Sequence, residues 1–304
     1  MKMSILSCVL ALGVLVESSA AGQEKPETPA NASAAASESY VISLGKTLTP
    51  SRMAVYKQVG DRALKMHLFL PEGWTAADRR PCILIFHGGG WIGGDAKRMY
   101  AFAAHFAKLG MVAASIDYRL VKKGNGVTVF DCVKDGRSAV RYVRAHALEL
   151  GIDPRRLVVS GASAGGHVAV GTAIFEAVND DADDLSIAAE PNLMIPLFPV
   201  IDTSKAGYGN GRIGVRWQEL SPVHNVRSGL PPTLIFHGTS DTTTPFAGAK
   251  RFHEEMLKVG NLCELDVNEG GAHGYVMSNQ ALFDDTLVKM EAFLMRTKFL
   301  PAQP

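Results

Sequence analysis

The tightest constraint on the fold is residues 158–167, Val-Val-Ser-Gly-Ala-Ser-Ala-Gly-Gly-His. Branched apolar residues give way at once to a run of the smallest residues. That pattern predicts a buried strand, a sharp turn and the start of a helix. Within it lies G-x-S-x-G, as Gly161-Ala162-Ser163-Ala164-Gly165. A turn of this kind holds its serine in a strained backbone conformation, with Oγ exposed at the top of a sheet. Strand and helix approach so closely there that side chains larger than alanine would collide. With 30 glycines in the chain, the pattern alone also fits an ordinary glycine-rich turn, so its meaning depends on the other segments.

Those segments alternate. Residues 54–59 and 63–70 flank Gly60-Asp61, a good two-residue hairpin turn. Residues 82–86 are a continuous apolar run, as for a strand buried on both faces, and residues 111–116, 156–160, 193–200, 233–236 and 263–267 also read as strands. Between them, residues 97–109, 130–150, 164–178, 246–259 and 280–299 read as helices, two of them stopped by Gly110 and Gly151. Strands alternating with helices call for a mostly parallel sheet covered on both faces, with an N-terminal antiparallel hairpin. Residues 203–231 are long and glycine-rich, and are expected to form a lid or wall. Cys82 and Cys263 lie in strand-like runs, so these cysteines and Cys132 are read as core residues rather than a disulfide framework.

The N-terminus has the form of a secretory signal peptide: Lys2, an apolar run over 5–16, then small residues for cleavage near Ala20 or Ala21. Cys8 precedes most of that run, which argues against lipidation. Residues 22–39 are polar and small, as in a flexible linker, and Asn31-Ala32-Ser33 there is a chance glycosylation match. The catalytic domain is therefore expected over 40–304, secreted or periplasmic, with no membrane span after cleavage. Net charge is +1 with no basic block, so a nucleic-acid partner is not expected.

A serine nucleophile needs a base within hydrogen-bond reach and an acid to orient that base. Of nine histidines, His273 stands in a polar, glycine-rich loop directly after a strand. His253 falls within a helix, and His237 ends a strand as a structural residue. Asp241 lies in the loop after residues 233–236, with Asp202 as the reserve. His87-Gly88-Gly89-Gly90-Trp91 follows residues 82–86, and its glycines let backbone N–H groups converge on one point. A competing reading is the dinucleotide fingerprint Gly88-x-Gly90-x-x-Gly93 with Asp117 beyond it. Asp95 opposes that reading, because it sits where a pyrophosphate would need a clear helix N-terminus. A phosphate-loop reading of residues 161–166 fails because His167 stands where a lysine is needed.

Together, His87 to Trp91, the Ser163 turn, and the Asp241 and His273 loops resemble the α/β-hydrolase superfamily, in its triple-glycine esterase/lipase group. That group includes hormone-sensitive-lipase-like carboxylesterases and smaller acetyl-xylan and feruloyl esterases. The resemblance implies a Ser163–His273–Asp241 triad, in that superfamily's chain order of Ser, Asp, His. It implies oxyanion donors at the N–H groups of Gly89, Gly90 and Ala164. It also implies a serine esterase that uses no metal or other cofactor. Lipase-like members carry a helical cap before the first strands; only residues 40–53 are available here, so a minimal cap and an open cleft are expected. Secretion with an open cleft points by analogy to short acyl esters, acetyl foremost, on a small-molecule or oligosaccharide alcohol. Trp91 and Trp217 are candidates for a sugar-stacking wall. Asp117-Tyr118-Arg119 is similar to these esterases too; it either contacts substrate or, the preferred reading, is structural, with Arg119 paired to Asp117 or another carboxylate. The alternatives are a prolyl-oligopeptidase-like exopeptidase, which lacks a preceding propeller here, and a non-catalytic binder, which would usually lack a triad member.

Overall fold

The computed structural model describes residues 39–300. The expected signal peptide, and the expected linker up to residue 38, lie outside the described residues. In chain order the elements are helix α1 (Tyr40–Lys46) and strands β1 (Arg52–Val59), β2 (Arg62–Phe69) and β3 (Arg80–Phe86). Helix α2 (Tyr100–Lys108), β4 (Val112–Ile116), α3 (Val129–Ala145), β5 (Ile152–Ala162), α4 (Ala164–Ile174) and β6 (Leu193–Leu197) follow. The chain closes with α5 (Asn210–Ile213), β7 (Thr233–Gly238), α6 (Phe246–Lys258), β8 (Cys263–Asn268) and α7 (Gln280–Arg296).

The strands form one sheet in the order β1-β2-β4-β3-β5-β6-β7-β8. β1 pairs antiparallel with β2, and β2 antiparallel with β4; every other pairing is parallel. Alternate residues of one strand serve opposite layers. Cys82, Leu84 and Phe86 enter the core shared with α3, α4 and α6. Ile83 and Ile85 enter the core shared with α1, α2 and α7. This is why β3 is a continuous apolar run rather than an alternating one. Register sets the site: Ile116, Phe86, Gly161 and Pro196 stand side by side, as do Leu197, Phe236 and Asp266. The loops that follow these strands therefore leave the sheet along one edge.

Several expected boundaries move, β5 beginning at Ile152 rather than 156 and α2 at Tyr100 rather than 97 among them. α4 stops at Ile174 rather than 178, because Arg137 of α3 donates to the carbonyls of Thr172 (2.7 Å) and Glu176 (3.3 Å). The Thr172 carbonyl is one that the helix end leaves without a partner. β6 ends at Leu197, because Phe198 takes a positive φ of 35°. α3 ends at Ala145, and the chain to Gly151 is a series of turns. α1 was not expected. It is short and buries only Val41 and Gly45, and a side chain at Gly45 would lie 2.5 Å from the Lys97 carbonyl oxygen. Val41 is buried in the core shared with α2 and α7, and Tyr40, Ile42 and Leu44 pack partly buried against it. The three cysteines Cys82, Cys132 and Cys263 are buried and unbridged. No described helix is long and apolar enough to cross a membrane.

Candidate active site

Ser163 sits between β5 and α4 with φ 55° and ψ −118°, the strained conformation expected of the turn. The residues two positions to either side must be glycine. A Cβ on Gly161 would lie 2.4 Å from the Gly165 oxygen, and one on Gly165 would lie 2.2 Å from the Phe86 oxygen. The Ser163 N–H donates to Leu197 (2.9 Å), and the Ser163 carbonyl accepts from His167 and Val200. The serine backbone is thus fixed by α4 and by the loop after β6.

The three sequence candidates meet. His273 Nε2 lies 2.9 Å from Ser163 Oγ, and His273 Nδ1 lies 2.8 Å from Asp241 Oδ2. The Phe198 ring stands edge-on to the imidazole at 5.0 Å, which limits how it can rotate. Asp202, the reserve acid, instead accepts from the backbone N–H of Ser204 at 2.7 Å.

Asp241 is 5% exposed. Burial pushes its carboxyl upward, yet bonds from His237, His273 and the Thr244 N–H outweigh that and hold it well below the usual carboxylate range. The Thr243 and Thr244 N–H groups donate to Oδ1 at 2.9 and 2.8 Å, and Thr244 Oγ1 donates to Oδ2 at 2.8 Å. The acid therefore stays ionised beside an imidazole, as a residue that orients a base and stabilises its charged form must. Two residues of this shell were not legible as such. Thr244 has the spacing D-x-x-T, which marks a local turn but does not single out a catalytic partner. His237, read as structural, is buried, with Nε2 2.7 Å from the Thr244 carbonyl and 3.3 Å from Asp241 Oδ2.

The glycine loop after β3 supplies the other half. Gly89 O accepts from the N–H groups of Ile92 and Gly93, which fixes the peptide that carries the Gly90 N–H. His87 Nδ1 lies 3.0 Å from Gly88 O, on the peptide that carries the Gly89 N–H. Among the described residues, no acceptor takes the N–H of Gly89, Gly90 or Ala164. Backbone donors without partners, in a loop that packs against the Ser163 turn at Gly88, are what an oxyanion site requires.

The loop after β4 straps this glycine loop down. Tyr118 stacks on His87 at 4.4 Å and donates to its carbonyl at 2.7 Å. Arg119 grips Asp135 with several bonds between 2.7 and 3.1 Å, whereas Asp117 lies 3.1 Å from His67. Arg119 thus takes another carboxylate rather than Asp117, and its role is structural. The dinucleotide reading also fails: Asp95 caps a short 3-10 turn by accepting from Lys97 N–H at 2.9 Å.

Trp91 requires a correction. It is fully buried, with φ 63°, against His167 (5.1 Å), Tyr208 (5.5 Å) and Gly209. A ring with no exposed face cannot stack on a sugar; it is the plug under the glycine loop. Trp217 is half-buried in the lid, edge-on to His224 at 5.2 Å, and its carbonyl accepts from Thr203.

A family model described as BD-FAE matches residues 66–205, and one described as Prolyl oligopeptidase family matches residues 192–297. Esterase 2 of Thermogutta terrifontis, solved phosphoramylated by tabun, superposes with TM-score 0.79 at 40% identity, covering 83% of this chain and 96% of that one. Carboxylesterase NlhH of Mycobacterium tuberculosis is 30% identical over 220 residues, 66% of this chain and 67% of its own. A probable isoprenylcysteine alpha-carbonyl methylesterase of Arabidopsis thaliana is 25% identical over 69% of this chain. The chain spans 48% of that plant relative, about half its length. With 40% identity over nearly all of a solved esterase, and Ser163, Asp241 and His273 joined as described, the chain belongs to the esterase/lipase group of the α/β-hydrolase superfamily.

Proposed function

We propose that this chain is a secreted serine carboxylic-ester hydrolase that removes short acyl groups, acetyl foremost, from small or carbohydrate-borne alcohols. The observation that carries the chemistry is the row Ser163–His273–Asp241, at 2.9 and 2.8 Å, facing three unpaired amide donors. Ser163 Oγ attacks the ester carbonyl while His273 Nε2 takes its proton. Asp241 stabilises the imidazolium, and the N–H groups of Gly89, Gly90 and Ala164 hold the oxyanion. The imidazolium returns the proton to the leaving alcohol and an acyl-serine remains. Water, activated by the same imidazole, then releases the acid. Solved forms of the Thermogutta esterase with propionate and butyrate bound support a short acyl group. The N-terminal sequence supports secretion, and half-buried Trp217 is the remaining aromatic candidate for a sugar contact.

The test is hydrolysis of 4-nitrophenyl acetate, propionate, butyrate and octanoate by wild type and Ser163→Ala. Turnover should fall with chain length and vanish without Ser163; equal rates in the two proteins end the proposal. The Thermogutta esterase is phosphorylated by paraoxon, and this chain is expected to be inactivated by it too. The match of residues 192–297 to the prolyl oligopeptidase family favours peptide hydrolysis as a second reading. Cleavage of peptide 4-nitroanilides faster than esters would establish that reading instead.

A further inference from the structure

A groove of about 550 Å³ runs between the start of α3 and the lid, lined among others by Thr128, Phe130, Lys134, Asn179, Arg212 and Ile213. That is the size of an ordinary small-molecule site. Its charges do not cancel. Arg216 holds Glu219 with two bonds at 2.7 and 2.6 Å and stacks on Phe130 at 4.2 Å. Asp131 caps α3 through Thr128 at 2.8 Å and lies 3.3 Å from Arg119. Lys134 and Arg212 remain, and among the described residues neither has a carboxylate within 4.0 Å.

Arg212 also ties the groove to the chemistry. Its Nη1 donates to Gly90 O at 3.0 Å, directly beside the oxyanion donors, and its guanidinium lies 6.0 Å from the Trp91 and Tyr208 rings. One bond leaves most of the five guanidinium donors free. Lys134 is half-buried as a residue and lines the groove, and an ammonium without a carboxylate partner is stabilised by an arriving anion.

We infer that this groove binds a carboxylate carried by the substrate, held between Lys134 and Arg212, so that the favoured esters bear a second, anionic group. The inference rests on the ester-hydrolase reading for what it implies about turnover, but not for the binding itself. Arg212 fixes the reach: the carboxylate lies about one guanidinium away from the loop that holds the scissile carbonyl. A uronate on the alcohol side and a dicarboxylic half-ester on the acyl side share this chemistry, and the experiment separates them.

The acyl-side pair is mono-4-nitrophenyl adipate against 4-nitrophenyl hexanoate. The alcohol-side pair is 4-acetoxyphenylacetate against its primary amide. Wild type should favour the charged member of one pair about tenfold in kcat/KM, the worth of one charge-assisted bond. Lys134→Met should bring that ratio near unity and Lys134→Arg should keep it, with 4-nitrophenyl acetate turnover equal in all three proteins. Calorimetric binding of adipate to Ser163→Ala reads the groove without turnover, and adding Lys134→Met should weaken it about tenfold. No charge preference in either pair, or adipate binding indifferent to Lys134→Met, overturns the groove while leaving the hydrolase standing. Turnover that persists in Ser163→Ala overturns the hydrolase, and adipate binding still decides the groove.

Discussion

The glycine loop at 87–94 and the lid at 203–231 meet through Arg212 and Gly90, and they are held to different degrees. The glycine loop is tied to distant parts of the chain: Tyr118 on His87, Val121 N–H on Trp91 O (2.8 Å), and the buried Arg119–Asp135 pair behind them. The lid is tied partly to itself, through Thr203 to Trp217 and Asn225 to Gln218, and outward at separate points, through Arg212 to Gly90, Leu220 to His167 and Arg227 to Ala173, and between those points it leaves Val215 98% exposed. Chemistry that needs donors placed to a fraction of an ångström is built on the first kind of segment. A surface that selects among substrates can sit on the second kind, where sequence changes cost little.

Substitutions test that contrast. The largest effect should come from the fixed side of the site. Asp241→Asn should cut kcat about 10⁴-fold at neutral pH, by losing the orientation of His273, while Asp202→Asn leaves it within about threefold, as steady-state kinetics will show. Arg119→Met removes one of the two cations on the buried Asp135 carboxylate, leaving Lys57 at 2.9 Å, and should cost about 1.5–3 kcal/mol in chemical denaturation. Gly89→Ala places a Cβ 2.1 Å from Gly93 O at φ 131° and should lower kcat about 10²–10³-fold. In the lid, Gly211→Ala meets no atom within 4 Å and should change kcat by less than about twofold.

A smaller effect is acid sensitivity. Burial drives the His167 imidazole down to about 4, against the partial offset of its bond to the Leu220 carbonyl. The folded-state value lies below the ordinary 6.5, so the unfolded chain takes up the proton first. Stability is full above about pH 6.5 and falls as pH drops toward 4, by at most about 3 kcal/mol. Asp241, also depressed, adds its loss at still lower pH. Denaturation midpoints of wild type and His167→Phe between pH 4 and 7 should show a shallower slope in the variant; parallel curves would assign the acid loss elsewhere.

What could be read from the sequence was what lies close together in it. The Ser163 turn, the glycine run and the loops of Asp241 and His273 each carry their signature within a few residues, and the alternating strands say that such loops share one edge. Trp91 is misread because its surroundings come from a segment far away in the chain, whereas the added contacts of His237 and Thr244 to Asp241 depend on how one turn folds. Trp91 looks like a surface aromatic after three glycines, until Tyr208 and Gly209 close over it. His237 and Thr244 acquire a role only because the turn after β7 folds both onto Asp241. α4 ends early through a guanidinium from another helix. Whether 203–231 would cover or open the site was equally out of reach, since its few helical turns carry no periodicity.

The three buried thiols offer built-in reporters. Burial lifts Cys82, at the middle of the sheet, and Cys263, on its edge strand, to about 12, and Cys132 on α3 also sits far above its ordinary value. A thiol reagent can reach each of them only when the polypeptide around it opens. Labelling rates, followed cysteine by cysteine, would therefore rank the local breathing of the centre, flank and rim of the sheet without any engineered probe.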